Sequence, residues 1–125
     1  MLGTKRRPTE KYYKTKEIIS KKLFPTLRKR GFLARMNFSC CSTCASYELA
    51  QMAEQRNINK IVFYHHQDDD TFKIEGGVYL RYFLKEELSK DAFVLLGHEI
   101  KECAEEVGLK VEWNGNPNQC IKVTT

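Results

Sequence analysis

The sequence predicts an α+β protein with a ferredoxin-like, split βαβ antiparallel sheet, an extra C-terminal strand and an N-terminal basic helix. The main observation is that hydrophobic spacing switches several times between a period of 3.6 and a period of two. The second is the length of 125 residues, which fits one domain covering 1–125. The third is composition: 42% hydrophobic residues with three prolines exclude a disordered or collagen-like chain.

Residues 10–30 form the expected basic helix, because Tyr12, Ile19, Leu23 and Leu27 make one apolar stripe among lysines. We expect Pro25, within this segment, to kink or end it. Residues 31–125 then form the α+β core.

The core opens with a strand at 31–38, where apolar and polar side chains alternate, and a helix at 41–57. The β-branched and aromatic run 61–66 predicts the next strand, and 78–84 its hairpin partner. The polar stretch between them is interpreted as a loop. The remaining elements are a strongly amphipathic helix at 92–107 and two strands at 109–113 and 119–123.

A ferredoxin-like order makes the first and third strands central neighbours. It also places both core helices on one face of the sheet. The other face is then predicted to carry Arg35, Asn37, Tyr79, Arg81 and Phe83.

Charge divides the chain unevenly. Residues 1–30 hold eleven Lys or Arg against two Glu, whereas 31–125 hold ten against fourteen acidic residues. The basic N-terminal segment suggests an acidic partner. No apolar run approaches the roughly 18 residues of a membrane span, so we expect no membrane association and a cytoplasmic location.

The chemistry-bearing feature is Cys40-Cys41-Ser42-Thr43-Cys44, at the handover from strand to helix. A thiolate there meets the positive end of the helix dipole, which lowers a cysteine pKa. Three hypotheses remain open: a redox dithiol, a zinc or other soft-metal site, and plain packing. For the metal hypothesis, the predicted ligands are Cys40, Cys41, Cys44 and His65.

No nucleophile, base and acid set is recognisable elsewhere, and Asp68-Asp69-Asp70 is interpreted as a solvated acidic turn. The leading hypothesis is therefore a small non-enzymatic binding or regulatory module, with a protein partner possible, whose cysteines are packed or hold a metal. A thiol- or metal-dependent enzyme is the alternative.

A second alternative is nucleic-acid binding through the basic helix and two aromatic side chains of the open sheet face. The residues predicted for it are Lys5, Arg6, Arg7, Lys11, Arg28, Lys29, Arg30, Tyr79 and Phe83.

The segment 31–44 and the segment Gly108–Gly115 also carry a resemblance. They resemble an uncharacterised bacterial domain family with a G-F-x-A-R-x-N-F-x-C-C-x-x-C segment and a C-terminal G-L-x-V-x-W-x-G hairpin. The likeness spans about residues 28–125. It implies that 31–44 form a unit, and it implies no reaction.

Overall fold

A computed structural model of the protein describes residues 7–86 and 89–125. It is an α+β structure, which confirms the predicted class. Its elements are α1 (Glu10–Ile18), a π-helical turn (Ile19–Leu23), α2 (Phe24–Lys29), β1 (Phe32–Arg35), α3 (Ser42–Arg56), β2 (Lys60–Phe63), α4 (His66–Glu75), β3 (Val78–Leu84), α5 (Lys90–Glu106), β4 (Lys110–Glu112) and β5 (Ile121–Thr124). None of these helices is long and apolar enough to span a membrane.

The N-terminal basic helix is present, but Pro25 does not end it. The helix widens to a π-helical turn at Ile19–Leu23 and continues as α2, with Pro25 in its first turn. Proline is tolerated there because the first-turn N–H groups lack intrahelical partners in any case.

The strand order β1-β2-β3-β5-β4 differs from the ferredoxin-like order. β1 pairs directly with β2 in parallel, so the predicted neighbours β1 and β3 lie on either side of β2. The predicted antiparallel pairing of β2 with β3 is confirmed. β3 does not lie between β1 and β2, because these two strands are hydrogen-bonded directly to each other. The pairing continues past the strand ends, where the Tyr64 N–H donates to the Arg35 carbonyl.

The core helices lie on opposite faces of the sheet, so the prediction that they share one face was wrong. α5 and the N-terminal helices bury the face that carries Phe32, Ala34 and Val62. α3 covers the other face, over Leu33 and Ile61. Strand alternation sends successive residues to opposite faces, so two apolar faces on β1 and β2 need two covering layers.

The segment predicted as a loop is the helix α4. Only Phe72 among its large apolar side chains is buried, so the helical period was invisible. Two local signals would have found it: aspartates in the first turn, which complement the helix dipole, and Gly76, which ends the helix in the left-handed conformation.

Candidate metal centre

The cysteines lie at the edge of the sheet where parallel strands β1 and β2 both end. From β1 the chain passes to α3 on one face. From β2 it passes to α4, whose Phe72 belongs to the core on the other face. Connections that leave neighbouring parallel strands on opposite faces open a crevice at the carboxyl ends, the usual ligand position in open α/β sheets.

The loop that carries the cysteines is held in one conformation by the neighbouring strand end. The Phe38 N–H donates to the Tyr64 carbonyl at 2.8 Å, and the His66 N–H donates to the Ser39 carbonyl at 2.9 Å. Asn37 and Ser39 have positive φ angles of 47° and 67°. A serine in this region is uncommon and costs free energy, so the surrounding hydrogen bonds impose the bend.

Cys40, Cys41 and Cys44, called the cysteine cluster below, come together at the start of α3. Their three sulfur atoms lie within 4.8 Å of one another. The Cys40 and Cys41 sulfurs are 3.8 Å apart. Cys40 and Cys44 are exposed and Cys41 is half-buried, whereas Cys103 is buried in the core as its place in the α5 stripe predicted.

Hydrogen bonding within the cluster lowers the pKa of one thiol, that of Cys41. This residue is the N-cap of α3 and makes no capping hydrogen bond of ordinary geometry. The backbone N–H of Cys44 nevertheless faces its sulfur, and with the two neighbouring thiols it lowers the pKa of Cys41. Hydrogen bonding to Cys40 and then Cys41 raises the pKa of Cys44 to about 11. Of these two thiols, Cys41 is therefore the one that loses its proton first.

Three converging sulfurs can hold a soft metal ion. Among the described residues, no histidine or carboxylate joins this group of potential ligands. A closed structural zinc site needs four ligands, so a metal held here keeps one position for an external ligand.

His65, the fourth predicted ligand, is not part of the group of converging ligand atoms. It is buried, with 2% of its surface exposed, as the N-cap of α4. Its Nδ1 accepts from the Asp68 N–H at 3.3 Å, while the Asp68 carboxylate accepts from the His65 N–H at 3.2 Å. Burial lowers the pKa of His65, more than the nearby Asp68 carboxylate raises it. The imidazole is thus occupied as a neutral helix cap.

The role of Asp68 differs from the one that the sequence predicted. It is not in a solvated turn: its side chain is 8% exposed and meets Arg81 of β3 in a two-pronged ion pair. Arg81 donates from Nε at 2.8 Å and from Nη2 at 3.0 Å. Asp69 is also buried and pairs with Lys73 at 3.2 Å. Only Asp70 fits the predicted acidic, exposed surface.

The residues predicted for nucleic-acid binding do not share one surface. The basic helix packs on the face of the sheet that carries Ala34, whereas Phe83 lies on the opposite face beneath α3. Tyr79 lies four residues before Phe83 on β3 and therefore on the same face of the sheet. The Lys122 ammonium group lies over the Tyr79 ring. Lys5 and Arg6 lie outside the described residues.

Several of the basic side chains have partners within the protein. Arg28 donates to the Ala34 carbonyl at 2.8 Å, and Arg30 pairs with Glu106 at 3.5 Å. Lys11 packs against Gly76, where its side chain fills the space that a Cβ would need. Lys29 and Arg7 are exposed. Nucleic-acid binding therefore stays a prediction. It would depend on the basic residues of the N-terminal helix and not on Tyr79 and Phe83.

Fold and site together define a class: a small α+β protein that presents three cysteines at the carboxyl edge of its parallel strand pair. The chain belongs to the family described as "Domain of unknown function (DUF6891)", whose model matches residues 21–125. This confirms the predicted membership of an uncharacterised family. Comparisons with curated proteins and with solved structures gave no match.

Proposed function

We propose that the protein is a small metal-binding module in which Cys40, Cys41 and Cys44 hold one soft metal ion, with zinc as the first candidate. The observation that carries the proposal is the approach of three sulfurs to within 4.8 Å at a helix start. Three thiolates are a donor set that soft and borderline cations prefer over hard ones such as magnesium.

Exposure argues against packing as the reason for the cluster. Cysteines kept for packing are buried, as Cys103 is. Two of the three clustered thiols face solvent instead. Thiols at the surface contribute little apolar burial, so ligation explains their convergence better than core formation does.

The open fourth position favours reversible binding over a permanent structural role. Since no described histidine or carboxylate joins the cluster, the fourth ligand comes from solvent or from a partner. A module of this kind reports or transfers a metal. A reducing compartment such as the cytoplasm suits it, because the ligands must stay as free thiols.

Metal titration of the reduced protein tests the proposal. We expect one zinc ion per chain in competition with a chromogenic chelator, and a sulfur-to-cobalt charge-transfer band when Co²⁺ is used instead. We expect Cys41→Ser to weaken zinc binding by more than about a hundredfold. Loss of a residue that only supports the ligands costs about 10- to 100-fold, so a larger loss indicates a direct ligand. Serine is a good helix N-cap, so α3 should persist in this variant.

Two further variants make the measurement specific. Cys120→Ser, a partly exposed thiol outside the cluster, should bind the metal as the parent does. His65→Asn should also leave affinity unchanged, because His65 caps α4. Equal affinity of Cys41→Ser and the parent would refute the proposal, and a large loss in His65→Asn would restore His65 as a ligand.

A further inference from the structure

We propose that the cysteine cluster is also a modification site for low-molecular-weight disulfides such as oxidised glutathione. Cys41 is the sulfur that attacks, and Cys44 closes an intramolecular disulfide. The proposal concerns the metal-free thiols and does not depend on metal binding. It rests on the positions of three sulfurs around the first turn of α3.

Position selects Cys41 as the attacking sulfur. It is the N-cap of a 15-residue helix, beside the unpaired N–H groups of the first helical turn. These groups and the helix dipole stabilise negative charge at that position. Cys40 lies one residue before this N-cap.

Chain geometry selects Cys44 to close the disulfide. N-cap and third helical residue lie on the same side of the first turn, and their sulfurs are already within 4.8 Å. Both side chains are at the surface, so rotation can bring them to bonding distance. Cys40 is adjacent to Cys41, and a disulfide between neighbours closes a small ring that forces the intervening peptide out of its planar trans form.

The reaction proceeds in two exchanges. The Cys41 thiolate attacks one sulfur of the small disulfide, whose S–S bond breaks, and the departing thiolate takes a proton from water. The Cys44 thiol then loses its proton to water and attacks the Cys41 sulfur. This step releases the second small thiol and forms the Cys41–Cys44 bond. The protein pair is oxidised by two electrons, and the small disulfide is reduced to two thiols.

The remaining cysteines provide internal controls. Cys103 is fully buried between α5 and the sheet, so a small disulfide cannot reach it. Cys120 is half-buried beside Arg81, at the start of β5. It lies just before β5 and outside the cysteine cluster.

The test treats the reduced full-length protein with excess oxidised glutathione in the presence of a metal chelator. Intact mass and peptide mapping follow the products with time. The parent protein should lose two hydrogen atoms and show the Cys41–Cys44 peptide pair, with little lasting glutathione adduct. Cys44→Ser should instead retain one glutathione on Cys41. Cys120→Ser should react as the parent does, and Cys41→Ser about tenfold or more slowly.

Three results would overturn the inference: a Cys40–Cys44 bond in the parent, an adduct on Cys40 or Cys120 in Cys44→Ser, or an unchanged rate in Cys41→Ser. Far-ultraviolet circular dichroism checks that each variant is folded. Should Cys41→Ser fail to fold, the adduct position in Cys44→Ser still decides the identity of the attacking sulfur. The chelator separates this result from metal binding, since each can fail without the other.

Discussion

The ends of β1 and β2 lie side by side, yet the two strand ends serve opposite purposes. After β2, His65 and Asp68 form a reciprocal capping box, and Asp68 binds Arg81. After β1, Cys41 occupies the same capping position in α3 without a capping hydrogen bond of ordinary geometry. One strand end satisfies its polar groups internally, and the other leaves three reactive side chains at the surface.

The capping positions make this contrast specific. Thr9 caps α1, His65 caps α4 and Ser89 caps α5, each through its side chain. Among the described helices that begin after an extended residue, α3 alone has a thiol in that place and lacks such a bond. A cap contributes typically about 1 kcal/mol to stability. The chain forgoes that contribution where it presents sulfur, as expected of a functional position.

The largest expected effect comes from breaking the Asp68–Arg81 ion pair that follows β2. Arg81→Met leaves the Asp68 carboxylate buried without its guanidinium, and we expect the free energy of unfolding to fall by about 3 kcal/mol. Urea denaturation measures it. Lys101→Met, which removes an exposed ion pair to Glu105, should cost at most about 0.5 kcal/mol. Equal losses in the two variants would show that the Asp68–Arg81 pair is no more than a surface contact.

The next effect is the stabilisation of the folded protein by zinc bound to the cysteine cluster. Zinc at a hundredfold excess over its dissociation constant should stabilise the reduced protein by about 2.7 kcal/mol, because it binds the folded state. Thermal or urea unfolding with and without zinc measures this. Arg81→Met should keep the full zinc increment, whereas Cys41→Ser should lose it. An increment that survives in Cys41→Ser would place the metal elsewhere.

A smaller effect follows from the lowered pKa of His65. Below the ordinary histidine pKa of about 6.5, the unfolded chain binds a proton that the folded protein excludes by burial, so stability falls as pH drops through that value. Asp68 opposes this shift, whereas Arg81 and His66 reinforce it. His65→Asn keeps a capping side chain and should lose this part of the pH dependence. Unfolding curves between pH 7.5 and about 5.5 test this; an unchanged slope would contradict it.

The smallest expected effect is a gain. Cys41→Ser supplies α3 with a proper capping oxygen and should raise the metal-free protein's free energy of unfolding by about 0.5 kcal/mol. Urea unfolding in the presence of chelator measures it, with Cys120→Ser as the comparison. Clear destabilisation would mean that the Cys41 thiol contributes packing that its partial exposure does not reveal.

The sequence alone was sufficient where the spacing of side chains carries the signal. The apolar stripe of α5 and the cysteine at the start of α3 can be located from spacing, because side-chain direction repeats with the period of each element. The three thiols of the site lie within five consecutive residues at the start of α3, and for that reason they were found together. Its predicted fourth member, His65, comes from another strand end.

The pairing and packing of the elements against one another were decided only by the tertiary structure. Pairing of β1 with β2, and the placement of α3 and α5 on opposite faces, depend on hydrogen bonds and packing between residues far apart in the chain. α4 holds few buried apolar side chains, and it is stabilised by its cap and by the Asp68–Arg81 pair. Such a pairing leaves no periodic trace in the sequence, because it joins two single residues on different elements.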